Sequence, residues 1–502
     1  MNYIYFYYIF VSINFVYLNA KIIKFTFEKY PINIVGVNSI KKYNQDSSIL
    51  TSNDYIFRLF TDDLYFNLTI GTPPQIVPTI WNMEKYSFKF YNESFYKNNS
   101  STFINISSTF RYNFDESSNA IMCEDLFHFT DVNNNSFSNI ISFTKFEEGE
   151  KNYSFVGLQL PNYIVDGLLT FIRSLKQYEV INNYIFFIYY NEYQNNNDID
   201  NYNGNLYFGE YPHNMKQFNN IFKENNFYEI NAGYRSSSSL IYWDILFHNI
   251  YFSNAINENA MKYKQAELLG NMRLSVGTDE YQDFISEKFF DEYINKGICQ
   301  LKTILNDTDY MYYECKNDEK LFDISKFPTL KFEIKDLNIN MNFSLNYKDL
   351  FFVHNDYIYF SIVFDKFFKL RFQQSWRLGS ALFRKYLLTF NQDNKKIGIY
   401  KNVIRNNMDN EGGIIIDEDE GGDNDSHDTK KNGDDTGGSS IFIKIVIIVG
   451  LLALIVIIGV VFVKNSQNCF KKNEKKNSSV AHDSKNKNEI HEYYELGNNL
   501  ME

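Results

Sequence analysis

Four cysteines in 502 residues are too few for a disulfide-built scaffold, and their spacing does not suit a four-thiolate zinc site. Proline is also sparse, at seven residues, while Asn, Tyr, Phe, Ile and Lys abound. That bias is compositional, so no single Asn or Tyr is informative by type alone. An excess of positive charge is missing too: 49 basic against 61 acidic side chains leave a formal net charge of -12, which argues against nucleic acid as a partner. What the chain does have is apolar bulk. Hydrophobic residues make up 44% and aromatics 18%, enough for a large core and too much for a wholly disordered protein.

Uncharged apolar runs stand near both ends. Ile4 to Val16, followed by Leu18-Asn19-Ala20, reads as a secretory signal over residues 1–20, with a buried N-terminal strand as the alternative. Ile445 to Val463 is 19 uncharged residues long, enough to cross a hydrocarbon core of about 30 Å at about 1.5 Å per residue. Lys464, Lys471, Lys472, Lys475 and Lys476 follow it, and the acidic, Gly-rich stretch Glu411–Ser440 precedes it. Positive charge favours the cytoplasmic side. The expected topology is therefore single-pass type I, with an acidic linker at 403–440, a transmembrane helix at 441–463 and a cytoplasmic tail at 464–502. The bulk of the chain then faces outside the cell or into an endolysosomal vesicle. In the tail, Cys469 is a candidate for acylation, and Tyr493-Tyr494-Glu495-Leu496 fits the Tyr-x-x-apolar pattern of endocytic signals. In an oxidising compartment Cys299 and Cys315, close in sequence, are the expected disulfide, with Cys123 as the odd thiol. Acceptor triplets for N-glycosylation include Asn67, Asn92, Asn105, Asn152, Asn306 and Asn342.

From about Leu64 to Asn402, short apolar or alternating runs are broken by Asn, Asp, Gly and Ser. Leu64–Ile70, Tyr184–Tyr190, Asn205–Phe208, Leu330–Ile334 and Tyr357–Phe364 read as strands. Helical periodicity is confined to Asp279–Tyr293, with Phe284, Ile285, Phe289 and Tyr293 on one face, and to a shorter candidate at Gly167–Leu175. So many strands over some 340 residues suit two β lobes better than one sandwich.

The most specific string is Leu64-Tyr65-Phe66-Asn67-Leu68-Thr69-Ile70-Gly71-Thr72-Pro73-Pro74-Gln75. It resembles the N-terminal hairpin of pepsin-like aspartic peptidases. Phe155-Val156-Gly157-Leu158, Gly204-Asn205-Leu206-Tyr207-Phe208-Gly209 and Tyr242-Trp243-Asp244-Ile245 are similar to later family segments, in the order the family requires. Trp376-Arg377-Leu378-Gly379, Phe383-Arg384-Lys385-Tyr386, Phe390 and Lys396–Tyr400 resemble the strands that close its second lobe. The resemblance covers roughly residues 60–402. It implies an all-β, bilobal acid-protease fold with two barrel-like lobes and a cleft. The lobes fall at 61–225 and 226–402, behind a prosegment-like region at 21–60 that carries Lys21, Lys24, Lys29, Lys41, Lys42 and Arg58, and the expected C-terminal transmembrane helix lies beyond them at 441–463.

The family's chemistry needs two carboxylates that share one proton, each on an Asp-Thr/Ser-Gly turn. Matching those turns onto this chain gives Asn82-Met83-Glu84 and Ser275-Val276-Gly277, followed by Thr278. Neither Asn82 nor Ser275 is a usable acid. Glu84 and Asp279 are the nearest stand-ins, and Asp435-Thr436-Gly437 is a coincidental triplet in the acidic linker. Tyr112 matches the flap tyrosine that covers the cleft, although its turn carries Asp115 and Glu116 and no Gly. The resemblance thus implies a pepsin-like homologue without catalytic residues, whose cleft, lined by Tyr112, Glu84, Gly277 and Thr278, holds a peptide or protein ligand. No cofactor or metal is expected. The alternatives are an aspartic endopeptidase with a non-standard site and a structural or adhesive surface glycoprotein.

Overall fold

The short apolar runs become strands, arranged in two sheets. The computed structural model describes residues 21–29, 56, 59, 64–85, 88–91, 94–106, 110–111, 119–146, 154–160, 170–191, 203–233, 242–252, 261–304, 310–318, 320–336, 339–365 and 376–401. All belong to the unit Met1–Asp419. The expected signal, acidic linker, transmembrane helix and tail lie outside the described residues, as does Tyr112. Among the described residues, no helix is long and apolar enough to cross a membrane.

The first sheet takes β1 (Ile23–Lys29), β2 (Leu64–Ile70), β3 (Gln75–Asn82), β4 (Phe88–Tyr91), β5 (Ile104–Asn105) and β6 (Phe110–Arg111). It continues with β7 (Asn119–Thr130), β8 (Ser136–Phe146), β9 (Ser154–Gly157), β10 (Ile185–Tyr190), β11 (Gly204–Phe208) and β12 (Phe227–Asn231). The second sheet takes β13 (Asp244–Phe252), β14 (Met261–Leu268), β15 (Ser275–Gly277), β16 (Cys299–Thr303), β17 (Tyr310–Lys316) and β18 (Leu330–Asp336). To these it adds β19 (Ile339–Leu345), β20 (Phe351–His354), β21 (Tyr357–Phe360), β22 (Ile362–Asp365) and β23 (Trp376–Leu378). The last hairpin, β24 (Leu388–Asn391) and β25 (Lys396–Tyr400), returns to the first sheet by pairing with β10 and β12. Sheet membership therefore departs from a simple cut into 61–225 and 226–402.

The two sheets repeat one connection pattern. In the first, β2-β3-β9-β4-β8-β7 lie side by side; in the second, β13-β14-β23-β15-β22-β17 do. The junctions agree one by one: antiparallel, parallel, antiparallel, parallel, antiparallel. This repeat is invisible in residue identities, because strand pairing tolerates any side chains that fit the pleat.

Three further features bear on the sequence reading. β1, from the prosegment-like region, is an interior strand between β11 and β2. Ile23 and Phe27 are fully buried, and the Phe27 ring stands 5.2 Å from both Trp81 and Tyr190. Next, the expected Asp279–Tyr293 helix forms as α-helix Asp279–Ile285, a π-helical turn Ser286–Phe290 and α-helix Asp291–Asn295. The π turn adds a residue to the period and shifts the apolar face. Tyr281 and Ile285 are buried at ordinary helical spacing and the π turn brings Phe290 onto the same buried face, while Phe284, Phe289 and Tyr293 pack at the margin of the core. Finally, Tyr357–Phe364 divides at Ser361, whose N–H and C=O bond to Leu350 and Ser275, so that β21 pairs with β20 and β17 whereas β22 pairs with β17 and β15.

The sheets meet through large rings. Trp243 packs on Phe186 at 5.8 Å and Phe390 at 4.9 Å, and its Nε1–H donates to the Leu158 carbonyl at 2.7 Å. Cys299 and Cys315 face each other across β16 and β17 and form the expected disulfide. Cys123 is buried in β7, its Sγ donating to the Ile121 carbonyl at 3.8 Å.

Candidate functional site

β3 is buried at Val77 and from Thr79 to Trp81 and ends at Asn82, in parallel register with Gly157 of β9. The Asn82 carbonyl accepts the Leu158 N–H at 2.8 Å. Beyond it the chain turns through Met83 and Glu84, and Asn82 Oδ1 accepts the Glu84 N–H at 2.6 Å. Asn favours this local turn because its short side chain reaches its own backbone two residues on. The Asn82 side chain is thus a turn brace, and as an amide it exchanges no proton at any working pH.

The repeated topology identifies the matching turn in the second sheet. β14 runs parallel to β23 with Glu267 beside Arg377 and Leu268 beside Leu378, and the Leu269 N–H donates to the Leu378 carbonyl at 2.9 Å. Gly379 then corresponds to Gly157, and Leu269, Gly270 and Asn271 correspond to Asn82, Met83 and Glu84. Ser275 is not the counterpart of Asn82. It lies in β15, the strand that corresponds to β4, is buried, and accepts the Gly379 N–H on its Oγ at 3.0 Å. Matching the Gly277-Thr278 pair shifted the sequence assignment, because strand register, not the identity of one glycine, sets equivalence.

The other expected cleft residues in this segment have structural duties. Thr278 caps helix Asp279–Ile285, its Oγ1 accepting the Tyr281 N–H at 3.3 Å. Gly277 lies so close to Phe364 that a Cβ would stand 2.7 Å from the ring. Burial, with Tyr313 nearby, pushes the Tyr281 hydroxyl well above its ordinary range, and its ring packs 4.7 Å from Trp376. Asp279 opens the same helix.

The two matching turns grip each other. The Gly270 N–H donates to Met83 Sδ at 3.2 Å, and the Met83 N–H donates to Asn271 Oδ1 at 3.1 Å. Tyr190 OH donates to the Gly270 carbonyl, tying the clasp to β10. Of the six turn residues, Glu84 alone carries a carboxylate. It lies 3.9 Å from Arg377 Nη1, while Arg377 Nε lies 3.6 Å from Glu267. Sequence reasoning missed Leu269, Asn271, Glu267 and Arg377 as site residues. The available signal was spacing: Phe88 follows Asn82 at the interval by which Ser275 follows Leu269.

Of the glycosylation acceptors, Asn67 and Asn105 are exposed on β2 and β5. Asn342 is half-buried on β19 and accepts from Tyr251 OH at 3.5 Å. Asn92, Asn152 and Asn306 lie outside the described residues. Among the described residues no group of His, Cys, Asp and Glu is arranged to hold a metal ion. No protein-family model matches this chain, and no curated protein does.

Proposed function

We propose that this protein is a pepsin-like aspartic peptidase homologue that has lost its catalytic acids and holds a peptide in the seam between its lobes without cutting it. The observation that carries the reading is that two turns matched in strand register and bonded to each other hold Asn82 and Leu269, neither of them an acid, and on this reading they occupy the family's carboxylate positions. Hydrolysis by such a pair needs one carboxylate to activate water and a protonated partner to polarise the scissile carbonyl. An amide and an isobutyl side chain do neither. The Gly-Thr-Pro-Pro hairpin and the duplicated strand order support the fold side of the proposal. A seam flanked by sheets suits an extended peptide, which such surfaces hold by main-chain pairing and side-chain pockets. The proposal keeps the chain anchored by 441–463 with its lobes outside the cytoplasm.

The test incubates the purified protein with a broad fluorogenic peptide set from pH 3 to 7, with and without a statine-type inhibitor, alongside a binding screen of the same peptides. Binding without cleavage is expected. Inhibitor-sensitive cleavage overturns the reading, and so does the absence of any peptide ligand.

A further inference from the structure

We propose that Arg377 anchors a carboxylate of the bound peptide, either an acidic side chain or the C-terminal carboxylate. This rests on the peptide-binding reading above and names the ligand chemistry of the same seam.

The duplicated strand order pairs two rows of residues. In the first sheet Tyr65, Ile80 and Phe155 lie side by side across β2, β3 and β9. They form a small apolar cluster separate from the main core. In the second sheet the same places across β13, β14 and β23 hold Asp244, Glu267 and Arg377. Each row lies two residues before its turn residue, Asn82 or Leu269. Of these six residues Phe155 and Arg377 are the two that are not buried, so a ligand crossing the turns meets a ring on one side and a cation on the other.

Within the charged row Arg377 is the group on offer. Its side chain is 34% exposed, whereas Glu267 beneath it is 2% exposed. Its carboxylate contacts, 3.6 Å to Glu267 and 3.9 Å to Glu84, are longer than hydrogen bonds. Among the described residues the guanidinium thus has ionic neighbours but no hydrogen-bond acceptor. Guanidinium carries five N–H donors in a planar fork that matches a carboxylate two-for-two. Buried Glu267 fixes the position of the cation. Glu84, on the opposite turn and 32% exposed, occupies the approach only loosely. An incoming carboxylate displaces Glu84 and gains the bonds that Glu84 does not make. A basic ligand group gains less, because it competes with Arg377 for Glu84 and meets like charge.

The experiment measures binding to the purified full chain by fluorescence polarisation. Three versions of one apolar-rich peptide found in the screen are compared: an internal Glu with an amidated end, an internal Gln with a free C-terminus, and an internal Gln with an amidated end. At least one carboxylate version is expected to bind about tenfold tighter than the fully neutral one, and the two acidic versions tell side-chain from terminal recognition. Arg377→Met should erase that preference, and Glu84→Gln should strengthen it. Because Arg377→Met removes an ionic neighbour of the buried Glu267, Arg377→Met with Glu267→Gln is measured beside it, with melting temperature as the folding control. Equal affinity for all three versions, tightest binding of the fully neutral version, or a preference that survives the folded double variant overturns the assignment while leaving peptide binding intact. Failure of every peptide to bind overturns both.

Discussion

The backbone N–H of Gly270 points at the thioether of Met83 across the seam, 3.2 Å away, and the Met83 N–H is answered by the Asn271 side chain. Two turns from different sheets are thereby bonded to each other through a thioether and a side-chain amide. Met83 is 1% exposed and Asn271 9%, so neither bond has solvent to replace it.

Met83→Leu keeps the volume but removes the acceptor. We expect a loss of about 1–2 kcal/mol, the cost of one unanswered buried donor. Asn271→Ala leaves the Met83 N–H unanswered and should cost a similar amount. Urea unfolding of both single variants and the double variant should show non-additivity, because they brace one contact. Strict additivity would mean that the two bonds act independently.

The register predicts where an acid pair belongs. Asn82→Asp with Leu269→Asp places carboxylates on the two matched turns and should create binding of a statine-type inhibitor, favoured at acid pH. Asn82→Asp with Ser275→Asp should not, since Ser275 lies within β15. Its buried carboxylate should lower the melting temperature instead. Inhibitor binding by the Ser275 pair alone would show that the matched turns are misassigned.

β1 is predicted to be a permanent strand. Phe27 packs on Trp81 and Tyr190, and a Cβ at Gly204 would stand 2.6 Å from its ring. Phe27→Ala should cost about 3–5 kcal/mol. A chain beginning at Leu64 should fail to fold, because β2 and β11 then face each other across an empty strand position. Soluble yield and thermal melting check both statements, and a stable, cooperative chain from Leu64 would refute them.

His213 gives an acid-sensitive patch. It stacks on Tyr211 at 5.3 Å, contacts Phe227 at 4.9 Å, and shares a 2.8 Å hydrogen bond with Tyr400 OH. Burial pulls its pKa below 6.5, against the opposing charges of Glu224, Glu210 and Glu229. The folded state therefore prefers the neutral ring. The contribution is complete above the unfolded value of about 6.5 and is lost as pH falls through the window down to the folded value. His213→Asn should flatten the drop in melting temperature between pH 7 and pH 5. An unchanged slope would assign the drop to other groups.

Much of the architecture was legible along the chain. β2 coincides with the Leu64–Ile70 run, and β10, β11 and β18 lie within a residue or two of theirs, because buried strands demand short apolar stretches bounded by turn residues. The first turn was legible for the same local reason: an apolar strand ends at Asn82 beside a glycine-bearing partner strand. The second turn was not. Leu269-Gly270-Asn271 has no distinctive composition, whereas Ser275-Val276-Gly277 carries a glycine that matched by type alone.

The sequence by itself therefore determined the β character, the Cys299–Cys315 pairing and the absence of an acid at Asn82. Each depends on residue type or near-neighbour spacing, which the chain displays directly. Tertiary structure decided that Leu269, not Ser275, matches Asn82 in strand register, that β1 and the last hairpin complete the first sheet, and that Arg377 lies against Glu84. Those facts depend on register between strands far apart in the chain. That register is set by which side chains of each strand turn to the buried face and by the geometry of the turns, and no local pattern names the partner residue.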